Sequence, residues 1–322
     1  MKEVEKRDSF SLVQIKEFAS IGQGYTFSPL YQGKAQGRWP WAKVADMQTE
    51  DNSIWIKEAS NYVDDDLLKH LGLRPFPAGS IVFPRVGAAL RSNKKRILAQ
   101  PMLVDDNVLV VTVIHPEICD PLYLYHWFSS ISLDRCFANG GQVPSIPGHH
   151  VLSYAVPLPL HKTQVSIAYI LSIWDQAIEQ TERLIAAKRR RKQALMQQLL
   201  TGKRRLPEFL GSRAVQTTKY GKVPADWRYL AVRDIAAEVS ERNSGHADLP
   251  VISCTKYDGL VPSLEYFGKR VFSEDTSNYK VVRRNQFAYP CNHVEEGSIG
   301  ILDFLDAGIV SPIYTVFQAD PN

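Results

Sequence analysis

The stretch QVSIAYILSIWDQAIEQTERLIAAKRRRKQALMQQLLTGK, Gln164 to Lys203, contains no proline and has its one glycine at Gly202. It predicts a single long helix. Ile167, Leu171, Trp174, Ile178, Thr181, Ile185, Lys188, Lys192, Leu195 and Leu199 recur in alternating steps of four and three, the spacing that aligns side chains along the seam of a coiled coil. Such a seam requires a partner helix. Gly202 followed by Pro207 is a stop signal, and Pro157 and Pro159 keep the helix from starting earlier. At roughly 1.5 Å per residue the element spans about 57 Å, enough to act as a spacer between whatever lies at its ends.

The same stretch carries the charge. Residues 164–205 hold nine basic and three acidic side chains, against 17 and 16 in residues 1–163 and 12 and 15 in residues 206–322, so the net +4 resides on the helix. Arg183, Lys188, Arg189, Arg190, Arg191, Lys192, Lys203, Arg204 and Arg205 supply it, and nothing acidic follows Glu182 within the stretch. A solvated face would account for such a run. Two of its lysines, Lys188 and Lys192, nevertheless fall on the seam, where charge weakens helix pairing and is retained for register or for a ligand. A focused positive patch suits a phosphate backbone or an acidic partner.

With 322 residues, 44% hydrophobic and 22% charged, the chain is long and apolar enough for two modest domains with cores of their own. No run of 18 apolar residues appears and the N-terminus MKEVEKRDSF is charged, so neither a membrane span nor a signal peptide is expected, and the cytoplasm is the expected compartment. Cys119, Cys136, Cys254 and Cys291 have no paired spacing, which predicts reduced, mostly buried thiols and neither a disulfide framework nor a zinc site.

Before the helix, Phe10, Leu12, Val13, Ile15 and Phe18 open an apolar segment, and Ile54, Trp55 and Ile56 sit in a later one. PAGSIVFPRVGAAL (77–90) and MLVDDNVLVVTVI (102–114) read as strands bounded by proline and glycine, and DPLYLYHWFSSI (120–131) has helical spacing. Together they predict a mixed α/β domain. RSNKKRI (91–97) reads as a polar loop between the strands, with Arg and Asn side chains of the kind that pair with guanine and adenine edges. Asn139 to Gln142 form a second turn, His149 and His150 read as surface residues, and Asp64 to Asp66 read as a solvated acidic run rather than a metal cluster.

After the helix the chain begins again. DWRYLAVRDIAAE (226–238) matches SFSLVQIKEFASI (9–21) position by position, with Val13 meeting Leu230, Ile15 meeting Val232, Glu17 meeting Asp234 and Phe18 meeting Ile235. RWPWAKVADM then resembles DLPVISCTKY, GSIVFP (79–84) resembles NQFAYP (285–290) and NVLVVT resembles SPIYTV, with the offset shrinking from 217 to 204. This is an internal repeat. Its copies differ most where one has RSNKKRI and the other CNHVEEGSIGI, as expected of one scaffold presenting two recognition surfaces, and the second copy has no counterpart of DPLYLYHW, of GGQVPSIP or of the long helix.

The sequence holds no phosphate-loop, HExxH, GxSxG or strand-linked GxGxxG pattern, and no methyltransferase signature, so the chain reads as non-enzymatic. ERLIAAKRRRKQALMQQLLTGKRRLPEF (182–209), the GGQVPSIP to PLPL approach and the VPADW entry at 223–227, flanked by two copies of an α/β unit, resemble the DNA specificity subunit of type I restriction-modification systems. The resemblance covers nearly the whole chain. It implies two mixed α+β target recognition domains, 1–163 and an incomplete 207–322, joined by a long coiled-coil-type spacer helix, 164–206. It further implies reading of a bipartite double-stranded DNA site for antiviral defence and docking of methyltransferase and restriction subunits. Adenosylmethionine, ATP and magnesium would then belong to those partners, with no cofactor in this chain.

On this reading the candidate base readers are Arg85, Arg91, Asn93, Lys94, Lys95 and Arg96 in the first unit and Arg283, Arg284, Asn285 and Asn292 in the second. Lys188 to Lys192 would contact phosphates or a partner. Ile167, Leu171, Trp174, Ile178, Ile185, Leu195 and Leu199 would form the pairing seam, covered either by a second helix or by the same helix of another copy. A scaffold docking an acidic protein without reading DNA, or a nuclease with dispersed acids, are the competing classes.

Overall fold

The computed structural model describes residues 10–139, 143–209, 214–219, 221–244 and 248–319. The chain divides into two compact units, residues 1–193 and 194–322, and the division falls inside the long helix rather than at its ends.

In chain order the first unit has strands β1 (Ser11–Gln14), β2 (Ala19–Gln23), β3 (Trp39–Ala42), β4 (Trp55–Ile56), β5 (Tyr62–Val63), β6 (Ile81–Pro84), β7 (Arg96–Leu98), β8 (Leu103–Val104), β9 (Val108–Val113) and β10 (Ala155–Leu158). Its helices are α1 (Asp65–His70), α2 (Gly87–Arg91), α3 (Pro121–Ser130), α4 (Leu133–Phe137) and α5 (Gly148–Ser153), and α6 (His161–Leu199) starts in it. Five strands form a sheet in the order β2-β9-β6-β7-β4, three more the order β5-β3-β8, and β1 pairs with β10. The central strands read as unbroken apolar runs because both their faces are covered. Ile81, Phe83, Leu109 and Val111 pack with Leu124 and Phe128 of α3. Val82, Val108 and Val110 on the opposite face pack with Ala42, Met47 and Ile56. Helix α3 forms where its spacing predicts, with Pro121 in its first turn and the Asp120 carboxylate accepting from the Tyr123 amide at 2.9 Å.

Helix α6 begins at His161, two residues past Pro159. Its start is clamped by Gln164, which is 1% exposed, accepts from the Asp120 amide at 2.9 Å and donates to the Ile118 and Pro159 carbonyls at 3.0 Å each. The clamp satisfies backbone groups of the β9–α3 connection and of the turn between β10 and α6.

The second unit has strands β11 (Val215–Thr218), β12 (Gly221–Pro224), β13 (Ala236–Val239), β14 (Ile252–Thr255), β15 (Gly259–Pro262), β16 (Lys280–Arg283), β17 (Phe287–Pro290), β18 (Gly300–Ile301), β19 (Ala307–Val310) and β20 (Tyr314–Ala319), with one short helix, α7 (Ser263–Phe267). Its main sheet, β13-β20-β17-β18, repeats β2-β9-β6-β7 of the first unit. Ala19 pairs with Val113 as Ala236 pairs with Ala319, Ile81 with Val111 as Phe287 with Phe317, and Ile81 with Ile97 as Phe287 with Ile301. The entry turn repeats too: the Gln14 amide donates to Glu17 at 3.1 Å and the Ala231 amide to Asp234 at 2.9 Å.

Sequence matching set NVLVVT against SPIYTV, whereas the pairing of Pro84 with Val108 and of Pro290 with Tyr314 makes Val108 and Tyr314 equivalent, two residues further along. A two-residue slip leaves every side chain on its own face of the sheet, so the alternation pattern is blind to it.

The core under one face is the same in both units. Ala42, Val82, Leu98, Val104, Val108 and Val110 are buried in the first, and Ile252, Ala288, Leu302, Val310, Tyr314 and Val316 at the equivalent positions in the second. The other face differs: Ile15 and Phe18 are 0% exposed beneath α3, α5 and β10, while Val232 and Ile235 are 65% and 44% exposed.

Candidate nucleic-acid interface

The connection from β6 to β7, residues 85–95, is held at its base by the 144–146 segment. The Gly87 amide donates to the Pro144 carbonyl at 2.9 Å, and the amide of buried Ile146 donates to the Arg85 carbonyl at 2.8 Å. The VPSIP part of the quoted motif therefore braces this loop, while Gly140, Gly141 and Gln142 lie outside the described residues.

Half of the expected first-unit readers turn inward. Asn93 adopts φ 54°, donates from Nδ2 to the Ile131 carbonyl at 3.1 Å and accepts from the Leu133 amide at 2.9 Å, which ties the loop to the α3–α4 connection. Lys95 is 4% exposed, with Nζ 2.8 Å from the Ile131 carbonyl, and burial pulls its ammonium down to about 8. Arg96 donates to the Lys95 and Met47 carbonyls at 2.7 and 3.0 Å, and burial lowers its affinity for the proton. These three organise the loop from within, because the polar stretch RSNKKRI is a helix end followed by the buried strand β7 rather than an open loop. Arg85 is half-buried, its Nε lacking a hydrogen-bond partner among the described residues. Arg91 is exposed at the end of α2 and Lys94 half-exposed beyond it, so these two remain directed to solvent.

In the second unit, Arg283 forms a two-pronged pair with Glu241 at 3.0 and 2.6 Å, which holds the carboxyl below its usual range. Arg284 bonds Asp306 at 3.0 Å and the Asp303 carbonyl at 2.7 Å. Asn285, at φ 66°, occupies the turn position of Gly79, at φ 82°; their amides donate to Leu302 and Leu98 at 2.7 and 2.8 Å. Asn285 is thus a turn former, since asparagine is among the few residues that tolerate this backbone region. Asn292 is exposed in the Cys291–Glu296 turn after β17, which is the counterpart of the 85–95 connection. Tyr257, not singled out from the sequence, is 87% exposed in the β14–β15 turn, with the Lys256 ammonium 5.7 Å from its ring centre. Its signal was Asp258-Gly259 between two strand-like runs, a hairpin turn pattern.

On α6, Lys188, Arg189, Arg190, Arg191 and Lys192 are all exposed, and Arg183 bonds Glu179 one turn back at 2.6 Å. Ile167 packs on the first unit's core, Leu171, Trp174, Ile178 and Ile185 are 40, 65, 55 and 48% exposed, and Leu195 and Leu199 are half-buried.

The LLTGK and VPADW motifs meet in space. Gly202, at φ +71°, donates its amide to the Leu199 carbonyl at 3.1 Å, and a Cβ there would lie 2.4 Å from Pro224 Cγ. The Arg205 fork grips Asp226, at 2.7 Å through one of its two bonds, and Leu199, Leu206, Phe209 and Trp227 line the hollow beside the pair.

Among the described residues no group of three or more His, Cys, Asp or Glu is placed to hold a metal, and no helix is long and apolar enough to cross a membrane. Asp64 caps α1, and Asp65 bonds Arg38 and the Trp39 indole at 2.6 and 2.7 Å. The four cysteines are free. Only Cys119 is buried, contrary to the expectation of mostly buried thiols, and Cys291 is exposed in the turn after β17.

The family model for the type I restriction modification DNA specificity domain matches residues 8–188. The chain belongs to that family. Among solved structures, the type I restriction-modification S subunit from M. genitalium superposes with a TM-score of 0.57 at 11% identity, over 100% of this chain and 75% of that one, and shows the fold to be shared. The HsdS subunit from Thermoanaerobacter tengcongensis matches at 14% identity and a TM-score of 0.42, over 99% and 77% of the two chains. A structure from work on complex assembly and conformational transition of the type I R-M system matches at 13% and 0.46, over 99% and 77%.

Proposed function

We propose that this chain is a non-catalytic, sequence-reading subunit of a cytoplasmic type I restriction-modification complex. Each unit reads half of a bipartite double-stranded DNA site, and α6 serves as the spacer on which methyltransferase subunits, and with them restriction subunits, dock. The observation that carries this reading is the repeated strand core within a DNA specificity family, with the two copies diverging at the connection that follows β6 or β17. Arg91 and Lys94 are the first unit's candidate readers, and Asn292, Lys256 and Tyr257 the second's. The exposed Lys188–Lys192 run suits phosphate contacts, which set affinity and carry no sequence information.

Co-expression with type I methyltransferase subunits, followed by genome-wide mapping of methylated adenines, tests the reading. Arg91→Ala should relax one half-site by about 1–3 kcal/mol and leave the other intact. Glutamines at positions 188–192 should weaken binding about equally at all sequences. Uniform loss from Arg91→Ala, or altered sequence choice from the helix variant, would reverse these roles, and absence of any sequence-specific methylation would overturn the reading.

A further inference from the structure

An open cavity of about 320 Å³ lies between the β14–β15 hairpin and the Cys291–Glu296 turn, with Pro290 and Tyr314 as apolar walls and Lys256, Asn292, Glu296 and Ser298 as polar ones. That volume stands at the small end of the roughly 300–1,000 Å³ of ligand sites, room for one flat ring system. Ser298 is 6% exposed, yet its hydroxyl has no hydrogen-bond partner among the described residues, and neither has the Asn292 carboxamide or the Lys256 ammonium. Solvent or a ligand has to complete these three groups.

In the first unit the matching side chains fill the core instead. The match of RWPWAKVADM with DLPVISCTKY sets Asp46 and Met47 against Lys256 and Tyr257, and strand pairing makes Val108 equivalent to Tyr314. Met47 is 0% exposed and packs with Val82 and Val108, and the Asp46 carboxylate accepts from the Lys43 and Ser60 amides at 2.7 and 2.8 Å. In the second unit the chain turns out as the β14–β15 hairpin, and Tyr257 stands 87% exposed at its tip. The tip is braced: the Asp258 amide donates to Thr255 Oγ1 and the Tyr266 hydroxyl to the Asp258 carboxylate, each at 3.0 Å. A large aromatic ring is thus held out in water next to a cavity whose polar groups lack partners.

We infer that this cavity receives one nucleobase swung out of the duplex at the second half-site, while Tyr257 enters the gap and stacks on the bases left behind. Such a capture rests on the reading of DNA by the second unit proposed above. A base supplies what the cavity lacks, because its flat faces suit Pro290 and Tyr314 and its edge mixes donors with acceptors, as Lys256, Asn292, Glu296 and Ser298 do. The Glu296 carboxylate repels a phosphate from the same place. Charge points the same way: residues 206–322 carry 12 basic and 15 acidic groups, so phosphate attraction does little to hold this unit on DNA and contacts to bases carry more of the binding. Stacking of Tyr257 on the neighbouring bases offsets part of the cost of extrusion.

The test uses the full chain assembled with methyltransferase subunits, on duplexes carrying the site found by methylation mapping. 2-Aminopurine, which brightens on leaving the base stack, is placed at one position of the second half-site at a time, away from the methylated adenines. One position should brighten about five-fold or more on binding, and a mismatch opposite it should tighten binding about ten-fold by lowering the cost of extrusion. Tyr257→Ala should weaken binding about ten-fold and remove most of the rise. Asn292→Ala and Ser298→Ala should each cut the rise at least about two-fold without moving the unfolding midpoint, because neither side chain bonds another described group. Sequence-specific binding with no brightened position overturns the proposal, as does a rise that both cavity variants leave undiminished. So does binding of free 2-aminopurine deoxyriboside below about 10 µM with no rise on DNA, the mark of a nucleoside site. Absence of sequence-specific binding by the unmodified complex overturns the DNA reading itself, and the capture with it.

Discussion

Two copies of one sheet sit in this molecule, and they differ in what lies on top. Beneath the sheets, six buried positions of the first unit have six buried equivalents in the second. Above them, the first unit folds residues 114–168 back over the sheet as α3, α4, α5, β10 and the start of α6, and Ile15 and Phe18 vanish from solvent. In the second, Val232, Ile235 and Leu230 stand 65, 44 and 44% exposed, and Phe287 and Phe317 stack at 5.1 Å in half-exposed positions. The shared strands and register accompany the lower core that both units keep.

The largest expected effect breaks this comparison directly. Ile15→Asp should cost about 4 kcal/mol or more by burying a charge under α5, while the equivalent Val232→Asp should stay within about 0.5 kcal/mol. Denaturant unfolding with limited proteolysis of each unit reads both, and equal damage from the two variants would show that the second unit's upper face is covered in solution.

Next in size is Gln164→Leu, which leaves the Asp120 amide and two carbonyls without their partner and should destabilise the first unit by about 2–3 kcal/mol. Hydrogen exchange should show faster opening in residues 114–168 and no change in β13, β17 and β20.

Lys95 supplies a pH-dependent contrast, because its counterpart before β18 is the uncharged, half-exposed Ile299. Burial lowers the Lys95 ammonium from 10.5 to about 8, so between those values the unfolded chain holds a proton that the native one has released, and stability rises with pH. Lys95→Met should stabilise the protein by about 1 kcal/mol at pH 7, with the advantage shrinking from pH 8 upward. A pH-independent difference in thermal midpoint would mean that the ammonium is not buried in solution.

Smallest is the exchange of turn residues. Gly79→Asn and Asn285→Gly should each change stability by no more than about 0.5 kcal/mol, whereas Gly79→Val should cost about 1–2 kcal/mol, since a β-branched side chain is strained at positive φ. A large loss from either exchange, read in the same unfolding assay, would show that the two turns are not equivalent.

Much of this was legible in one dimension. The long helix showed itself through an unbroken period and punctuated ends, and the repeat through apolar spacing that both copies keep because both bury the same lower face. What misled was polarity. Asn93, Lys95 and Arg96 read as base readers on a polar loop but bond inward, because a side chain's type does not reveal whether its hydrogen bonds run to DNA, to water or to a carbonyl 36 residues away, as from Lys95 to Ile131. Arg283 and Arg284, both exposed, pair at the surface with Glu241 and Asp306, partners distant in sequence.

The sequence by itself determined the long helix, helix α3, the central apolar strands, the duplication and the placement of charge along α6, because each follows from local periodicity and from which side chains water rejects. The tertiary structure alone decided the strand register of the second copy, the meeting of LLTGK with VPADW around Gly202 and Pro224, and the inward turn of the polar side chains Asn93, Lys95 and Arg96. Each of those depends on which groups from distant parts of the chain come to lie within a few ångströms, and local pattern carries no record of that.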